Sequence, residues 1–100
     1  MMKLELSKKT EKRLKKLISL HQNDESFFNR IIDAQIDELK RSVLSIKYDL
    51  KEFEKKYNKD SQLFYKEFME GKLGDNNDYM IWSGIYEMFL RDKEKLDKLQ

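Results

Sequence analysis

Apolar and polar residues alternate near the N-terminus, and this alternation predicts a short β-strand over Lys3–Ser7. Leu4 and Leu6 fall on one face of the strand, and the polar residues fall on the other face. The backbone N–H and C=O groups of so short a strand need a neighbouring strand. Every later segment has helical spacing, so we expect the neighbouring strand to come from a second copy of the chain.

A helix is predicted directly after this strand, over Lys8–His21, because apolar residues recur there every three or four positions. Ser7 is a suitable N-cap for this helix. The polar residues 22–24 then interrupt the pattern. Asp24 or Ser26 is expected to cap the helix that follows.

The second helix is unusually long, because its apolar residues stand alternately four and three positions apart for almost four heptads. These residues are Ile32, Ile36, Leu39, Val43, Ile46, Leu50, Phe53 and Tyr57. Such a seam is typical of a helix that packs lengthwise against another helix, and it predicts a helix over about residues 25–57. The packing partner is either the same helix of a second chain or the C-terminal helix of this chain folded back.

Two further helices are predicted in the C-terminal part of the chain. Asp60 or Ser61 can cap a short helix that ends near Gly71. Residues 71–78 form the clearest loop in the sequence, and a last helix runs from about Tyr79 to Leu99. The chain as a whole is therefore predicted to be mainly α.

Composition excludes several kinds of site and favours an oligomer. The chain has 100 residues, of which 40% are charged, and it contains no cysteine, which excludes disulfides and thiolate zinc sites. No stretch approaches the roughly 18 consecutive apolar residues of a membrane span, and the N-terminus lacks the apolar core of a signal peptide. We therefore expect a cytoplasmic protein with no membrane segment. A chain this short and polar has little apolar surface to bury alone.

Positive charge is concentrated at the N-terminus. Residues 1–22 carry seven cations against two anions, a net charge of +5, whereas residues 23–57 and 58–100 have net charges of −1 and −2. A concentrated positive field is what a polyanion-binding surface needs. A solvated lysine face on a small helix explains the same charge equally well.

The order of the N-terminal elements resembles a ribbon-helix-helix DNA-binding domain, the fold of the Arc and MetJ repressors and of many prokaryotic antitoxins. The resemblance covers about residues 1–45, from the strand Lys3–Ser7 into the helix that begins Ser26-Phe27-Phe28. It implies that two strands pair into a ribbon that enters the major groove, and that the second helix begins at a DNA phosphate. The DNA-binding residues implied in this way are Lys3, Glu5, Ser7, Lys8, Lys9, Asn23 and Ser26.

A second resemblance lies in the C-terminal part, where three short motifs follow the long helix in a fixed order. They are Phe64-Tyr65, then Gly71-Lys72-Leu73-Gly74-Asp75, then Trp82. This order resembles the tail of small ribbon-helix-helix antitoxin-like proteins. The resemblance implies that residues 46–100 are a helical extension that faces a toxin or stabilises the dimer.

The aromatic residues of this extension have two possible roles. Seven of the twelve aromatic residues lie beyond residue 57, and large rings are typical anchors of protein interfaces. The same rings could instead cover the seam of the long helix. Acidic residues near them could enter the basic active site of a nuclease toxin, or could serve as loop and cap residues, with Asp78 a suitable N-cap. The candidate partner-binding residues are Phe64, Phe68, Asp75, Asp78, Trp82 and Tyr86.

Catalytic and metal sites are not indicated by the sequence. His21 is the only histidine and has no spaced metal-ligand partner, so we interpret it as a packing or turn residue. The segment Asp75–Asp78 lacks the glycine and glutamate order of an EF-hand. No phosphate-binding glycine loop or nucleophile motif is present. We therefore expect a protein that is not an enzyme and that needs no cofactor or metal.

These features together predict a homodimeric ribbon-helix-helix protein with one short strand paired across the dimer, a long heptad-patterned second helix and two C-terminal helices. The predicted function is a DNA-binding transcriptional regulator, the antitoxin of a type II toxin–antitoxin pair, which represses its own operon and neutralises a toxin. The alternative is a purely helical dimeric protein-interaction module without specific DNA binding.

Overall fold

The structure, a computed structural model, describes residues 5–100, and this part of the chain contains four α-helices. They are α1 (Lys8–Ser19), α2 (Asp24–Tyr57), α3 (Ser61–Met69) and α4 (Asn77–Leu99). The bounds lie within about two residues of those predicted from the sequence. The prediction of a mainly α chain is confirmed.

The predicted fold, with a short N-terminal strand that pairs into a ribbon, is wrong, because residues 5–100 contain no β-strand. Glu5 and Leu6 have no regular secondary structure, while Lys3 and Leu4 lie outside the described residues. Ser7 does have an extended backbone, with φ −64° and ψ 155°, but this conformation serves the N-cap of α1. Alternating residues form a strand only where another strand satisfies their backbone groups, and every regular element that the structure describes is a helix.

Short polar side chains set the starts of the helices. The hydroxyl of Ser7 accepts the Thr10 N–H, as predicted. At α2 the cap is the side chain of Asn23, which accepts the N–H of Ser26, so the predicted caps Asp24 and Ser26 lie inside the helix. The Asp60 carboxylate accepts the Gln62 and Leu63 N–H groups at α3, and the Asn76 side chain accepts the Asp78 N–H at α4. The expectation that Asp78 is an N-cap is therefore wrong.

Helices α2 and α3 each end at a residue with a left-handed backbone conformation, which allows the chain to reverse direction. Asn58 has φ +49° and Gly71 has φ +74°. In each case the next residue closes the helix end: the Lys59 N–H donates to the Glu54 carbonyl, and the Lys72 N–H donates to the Glu67 carbonyl. This is the Schellman arrangement, in which asparagine and glycine are the residues that best tolerate the left-handed position.

The chain divides into two compact units, the first ending at Ala34 and the second comprising Gln35–Gln100. The boundary predicted from the sequence lies later in the chain, between residues 45 and 46. In the described part of the first unit only Phe27 is buried, and its ring lies 4.6 Å from the ring of His21. The first unit thus has almost no interior of its own.

The second unit has a distinct core that joins α2, α3 and α4. Ile46, Leu50, Phe64 and Trp82 are its buried members. Trp82 is fully buried, and its ring stacks on Phe64 at a centroid distance of 3.7 Å with the planes 3° apart. The partly buried residues around this core are Phe53, Tyr57, Tyr65, Phe68, Leu73, Tyr79, Ile85, Tyr86 and Phe89.

Helix α4 folds back along α2 in the antiparallel direction. The Ser42 hydroxyl donates to the Asp92 carboxylate at 2.9 Å, and Lys56 donates to Asp78 at 2.7 Å, so the C-terminal end of α2 lies beside the N-terminal end of α4. Within the second unit, the heptad seam of α2 therefore packs against the C-terminal helix of the same chain. The heptad pattern alone does not distinguish this packing from packing against α2 of a second chain.

Ser61 is the polar centre of the second unit. It is buried, its hydroxyl accepts the Trp82 Nε1–H at 2.9 Å, and its backbone N–H donates to the Glu54 carboxylate at 2.8 Å. Burying an indole N–H without an acceptor would be costly, so this serine makes the burial of Trp82 possible.

We predict that Ser61→Ala lowers the free energy of unfolding by about 1–3 kcal/mol, because the Trp82 N–H is left buried without a partner. The control is Ser83→Ala on α4, since the Ser83 hydroxyl bonds only to the exposed Met80 carbonyl. That change should alter stability by less than about 0.5 kcal/mol. Urea unfolding of both variants checks this, and equal effects would contradict the role given to Ser61.

Candidate functional site

Helix α1 has two opposite faces, one basic and one apolar. Leu14, Leu17 and Ile18 lie on the apolar face, on the 3–4 spacing of a helical stripe. The cations occupy the opposite side of the helix and are all exposed: Lys8, Lys9, Lys12, Arg13, Lys15 and Lys16. We call these six residues the basic face.

Most of the basic face is available to an external anion. Lys15 pairs with Glu11 at 3.2 Å, four residues earlier on the helix. Within the described part of the chain, the other five cations form no ion pair with an acidic side chain. Twelve residues of helix span about 18 Å, so the basic face is an extended positive strip along the molecular surface.

The predicted DNA-binding residues near the N-terminus lie in different settings. Lys8 and Lys9 lie at the exposed start of the basic face. Ser7 caps α1 and also donates its hydroxyl to the Thr10 hydroxyl at 3.0 Å. Glu5 is exposed before the helix, and Lys3 lies outside the described residues.

The two predicted phosphate-clamp residues lie together at the start of α2. The Asn23 side chain accepts the Ser26 N–H at 3.2 Å, so that N–H is already engaged within the chain. The cations that sequence analysis did not assign to the site are Lys12, Arg13, Lys15 and Lys16. The sequence contains the pattern that indicates them, because Lys8, Lys12 and Lys16 recur four residues apart and so lie on one side of a helix.

The first unit also exposes several large apolar side chains. Its most exposed member is Leu20, of which 79% is accessible. The other large apolar residues that remain exposed are Leu6, Leu17, Phe28, Ile31 and Ile32. Single exposed apolar residues are ordinary, but a set this dense in one small unit is typical of an interaction surface.

The predicted partner-binding residues separate into core and surface. Phe64 and Trp82 are fully buried in the second unit, and Phe68 stacks on Phe64 at 5.6 Å. Asp75 is exposed in the loop before α4, and Tyr86 is half-buried. Of the six predicted residues, the structure therefore places two in the interior and brings the remaining four to its surface or edge.

Asp78 is held by residues at the end of α2. Its carboxylate accepts hydrogen bonds from Lys56 Nζ and from the Tyr57 hydroxyl. The bond from Lys56, followed by that from Tyr57, holds the pKa of Asp78 below its ordinary value. The same carboxylate raises the pKa of Lys56 and of Tyr57, because it stabilises the protonated form of each.

An open groove of about 550 Å³ lies on the surface of the second unit, between α3 and α4. Leu63, Tyr65, Tyr86 and Leu90 give it an apolar lining, and Lys66 is at its edge. The Tyr65 hydroxyl donates to the Glu87 carboxylate at 2.8 Å, which raises the pKa of Tyr65. Burial raises the pKa of Tyr86, with a smaller contribution from the negative charge of Asp60.

Residues 5–100 contain no group of three or more histidine, cysteine, aspartate or glutamate side chains placed to hold a metal. None of the described helices combines the length and the apolar character that crossing a membrane requires. Comparison with protein-family models, with curated proteins and with solved structures gave no match to this chain.

The bonds to Asp78 predict an acid-sensitive contact between α2 and α4. Because the pKa of Asp78 is lowered on folding, this carboxylate stabilises the folded state above its ordinary pKa of 3.8, and the stabilisation is lost as the pH falls through the lower folded-state value. The pKa values of Lys56 and Tyr57 are instead raised on folding. The stabilisation that these two groups give is therefore present below their ordinary pKa values and is lost at higher pH.

We predict that Asp78→Asn lowers the urea midpoint at about pH 6, and that its difference from the wild type shrinks as the pH falls toward about 3. Asp75→Asn in the neighbouring loop is the matched control, because Asp75 is exposed and forms no ion pair in residues 5–100. A difference that stays constant between the two pH values would contradict the assigned contact.

Proposed function

We propose that this chain is a homodimeric DNA-binding regulator in which the basic face of α1 supplies the contacts to DNA phosphates. The observation that carries the proposal is the two-sided character of α1. One side offers five cations without an ion pair in the described structure, and the other offers an apolar stripe on which Leu17 is exposed and Leu14 and Ile18 are half-buried. The first side fits a polyanion, and the second fits a protein surface.

Double-stranded DNA is a suitable partner for the basic face. Each lysine or arginine that neutralises a phosphate releases condensed counterions, and this release supplies much of the affinity of DNA-binding proteins. The face contains five lysines and one arginine, which favours phosphate contacts over bidentate reading of bases. We therefore assign α1 to affinity and to positioning on the duplex.

A second copy of the chain is a suitable partner for the apolar surface of the first unit. Leu17, Leu20, Phe28, Ile31 and Ile32 are exposed, and the described part of this unit has only Phe27 buried. Pairing two first units would remove the exposed apolar residues from water. It would also bring two basic faces into one molecule, which strengthens binding to DNA.

The finer proposal is that the regulator is the antitoxin of a toxin–antitoxin pair. It is supported by the resemblance of the Phe64-Tyr65, Gly71–Asp75 and Trp82 motifs to the tails of antitoxin-like proteins, and by the apolar groove on the second unit. Co-expression of the chain should relieve growth arrest caused by a protein encoded beside its gene. Arrest that persists at equal expression of both proteins would contradict this part of the proposal.

A second candidate function is a helical protein-interaction module with no specific DNA binding. The groove lined by Leu63, Tyr65, Tyr86 and Leu90 favours it, because that surface is apolar and belongs to the unit without excess positive charge. In this case the lysines of α1 only keep the protein soluble.

We predict that Lys12→Glu combined with Arg13→Glu greatly weakens binding to the DNA upstream of the protein's own gene. The magnitude of the slope of log K against log salt concentration should fall by about 0.9 for each phosphate contact that is lost. Fluorescence anisotropy over a salt series measures both quantities.

The matched control is Lys51→Glu combined with Lys55→Glu, which makes the same change in charge at two exposed lysines of the second unit. This control should retain most of the affinity and nearly all of the salt slope. Equal losses in the two double variants would mean that only net charge matters. Unchanged binding in both would contradict the assignment of the phosphate contacts to α1. Absence of specific DNA binding in the wild type would leave the protein-interaction module as the better account.

A further inference from the structure

The outward side of α4 has an apolar stripe that the core of the second unit does not use. Met80, Ile81 and Met88 are exposed, Met80 by 61%, and Gly84 lies among them. Trp82, in contrast, points into the core. Flexible, polarisable methionine side chains on a surface are well suited to packing against another protein.

Gly84 has no role within the fold of its own chain. It lies in the middle of α4, where a glycine costs about 0.5–1 kcal/mol of stability relative to alanine. Its φ angle is not positive, and a Cβ atom added there would meet no other atom within 4 Å. What a missing side chain does permit is the close approach of another backbone.

We propose that α4 is a self-association surface, at which the α4 helices of two copies of the chain cross antiparallel at Gly84. The spacing of the stripe supports a second copy as the occupant, because Met80 and Met88 stand four residues before and four residues after Gly84. A two-fold axis through Gly84 brings Met80 of each copy onto Met88 of the other. Such a contact is self-complementary, as an isologous interface must be.

Charge on the stripe favours the antiparallel direction. Arg91 and Lys95 continue the outward face, seven residues after Gly84 and Met88 respectively. In a parallel pair, Arg91 would lie beside Arg91 of the second copy, and Lys95 beside Lys95. In the antiparallel pair, Arg91 instead approaches the start of α4 and the loop before it, where Asp75 is exposed and forms no ion pair within residues 5–100.

One further feature agrees with this arrangement. Glu87 borders the stripe, but its carboxylate already accepts the Tyr65 hydroxyl at 2.8 Å. The α4 contact does not depend on the proposed DNA binding.

Cysteine cross-linking tests the crossing point, since the chain contains no native cysteine. Gly84→Cys should form a disulfide dimer under mild oxidation, because the two positions meet at the two-fold axis. The added Cβ meets nothing in the chain, and circular dichroism should show that the variant keeps its helical content. The control is Leu44→Cys, at a position on α2 that is 70% exposed.

A mixture of Met80→Cys and Met88→Cys chains, carrying different tags, tests the antiparallel register without changing Gly84. The mixed disulfide should form several-fold faster than the Met80→Cys disulfide alone. Two copies of residue 80 would stand about 12 Å apart along the helix axes, beyond the roughly 7 Å between Cα atoms that a disulfide tolerates.

Three outcomes would overturn the proposal. One is cross-linking of Leu44→Cys at the rate of Gly84→Cys. Another is cross-linking of Met80→Cys alone at the same rate as the mixture, which would contradict the antiparallel register. The third is an absence of cross-linked Gly84→Cys dimer in protein that is fully helical.

Discussion

The indole of Trp82 joins the three helices of the second unit, because it contacts a different partner in each direction. It stacks on Phe64 of α3 at 3.7 Å and lies against Phe53 and Tyr57 of α2 at centroid distances of 5.6 and 5.7 Å. Its N–H donates to the Ser61 hydroxyl, and the backbone N–H of Ser61 donates to the Glu54 carboxylate of α2. The antiparallel packing of α4 on α2, the groove and the free outer side of α4 all depend on this burial.

The first unit follows a different physical rule, because its described residues have no comparable core. Phe27 is buried beside His21, while large apolar residues such as Leu17 and Ile31 stay exposed. The second unit therefore has an interior of its own, whereas the described part of the first unit exposes a basic face and several large apolar side chains.

The sequence predicted the helices well because their signals are local. Heptad spacing gives α2, and Ser7 and Asp60 give two of the caps. The seam could not reveal its partner, since a second chain and a folded-back helix bury the same stripe. The strand prediction failed because alternation over five residues has no meaning without a neighbouring strand. In the candidate site, the basic face could be predicted from the charge of the sequence alone. The hydrogen bond from Trp82 to Ser61 could not be predicted, because it joins residues far apart in the sequence.

The structure shows that the second unit has its own core, and we propose that the first unit is stabilised by a second copy of the chain. Hydrogen exchange measured on the whole chain at low and at high protein concentration tests it directly. Amides of α3 and of the core-facing parts of α2 and α4 should show the same protection at both concentrations. Amides of α1 and of residues 24–34 should gain protection as the concentration rises. Equal protection of the first unit at both concentrations would contradict the account.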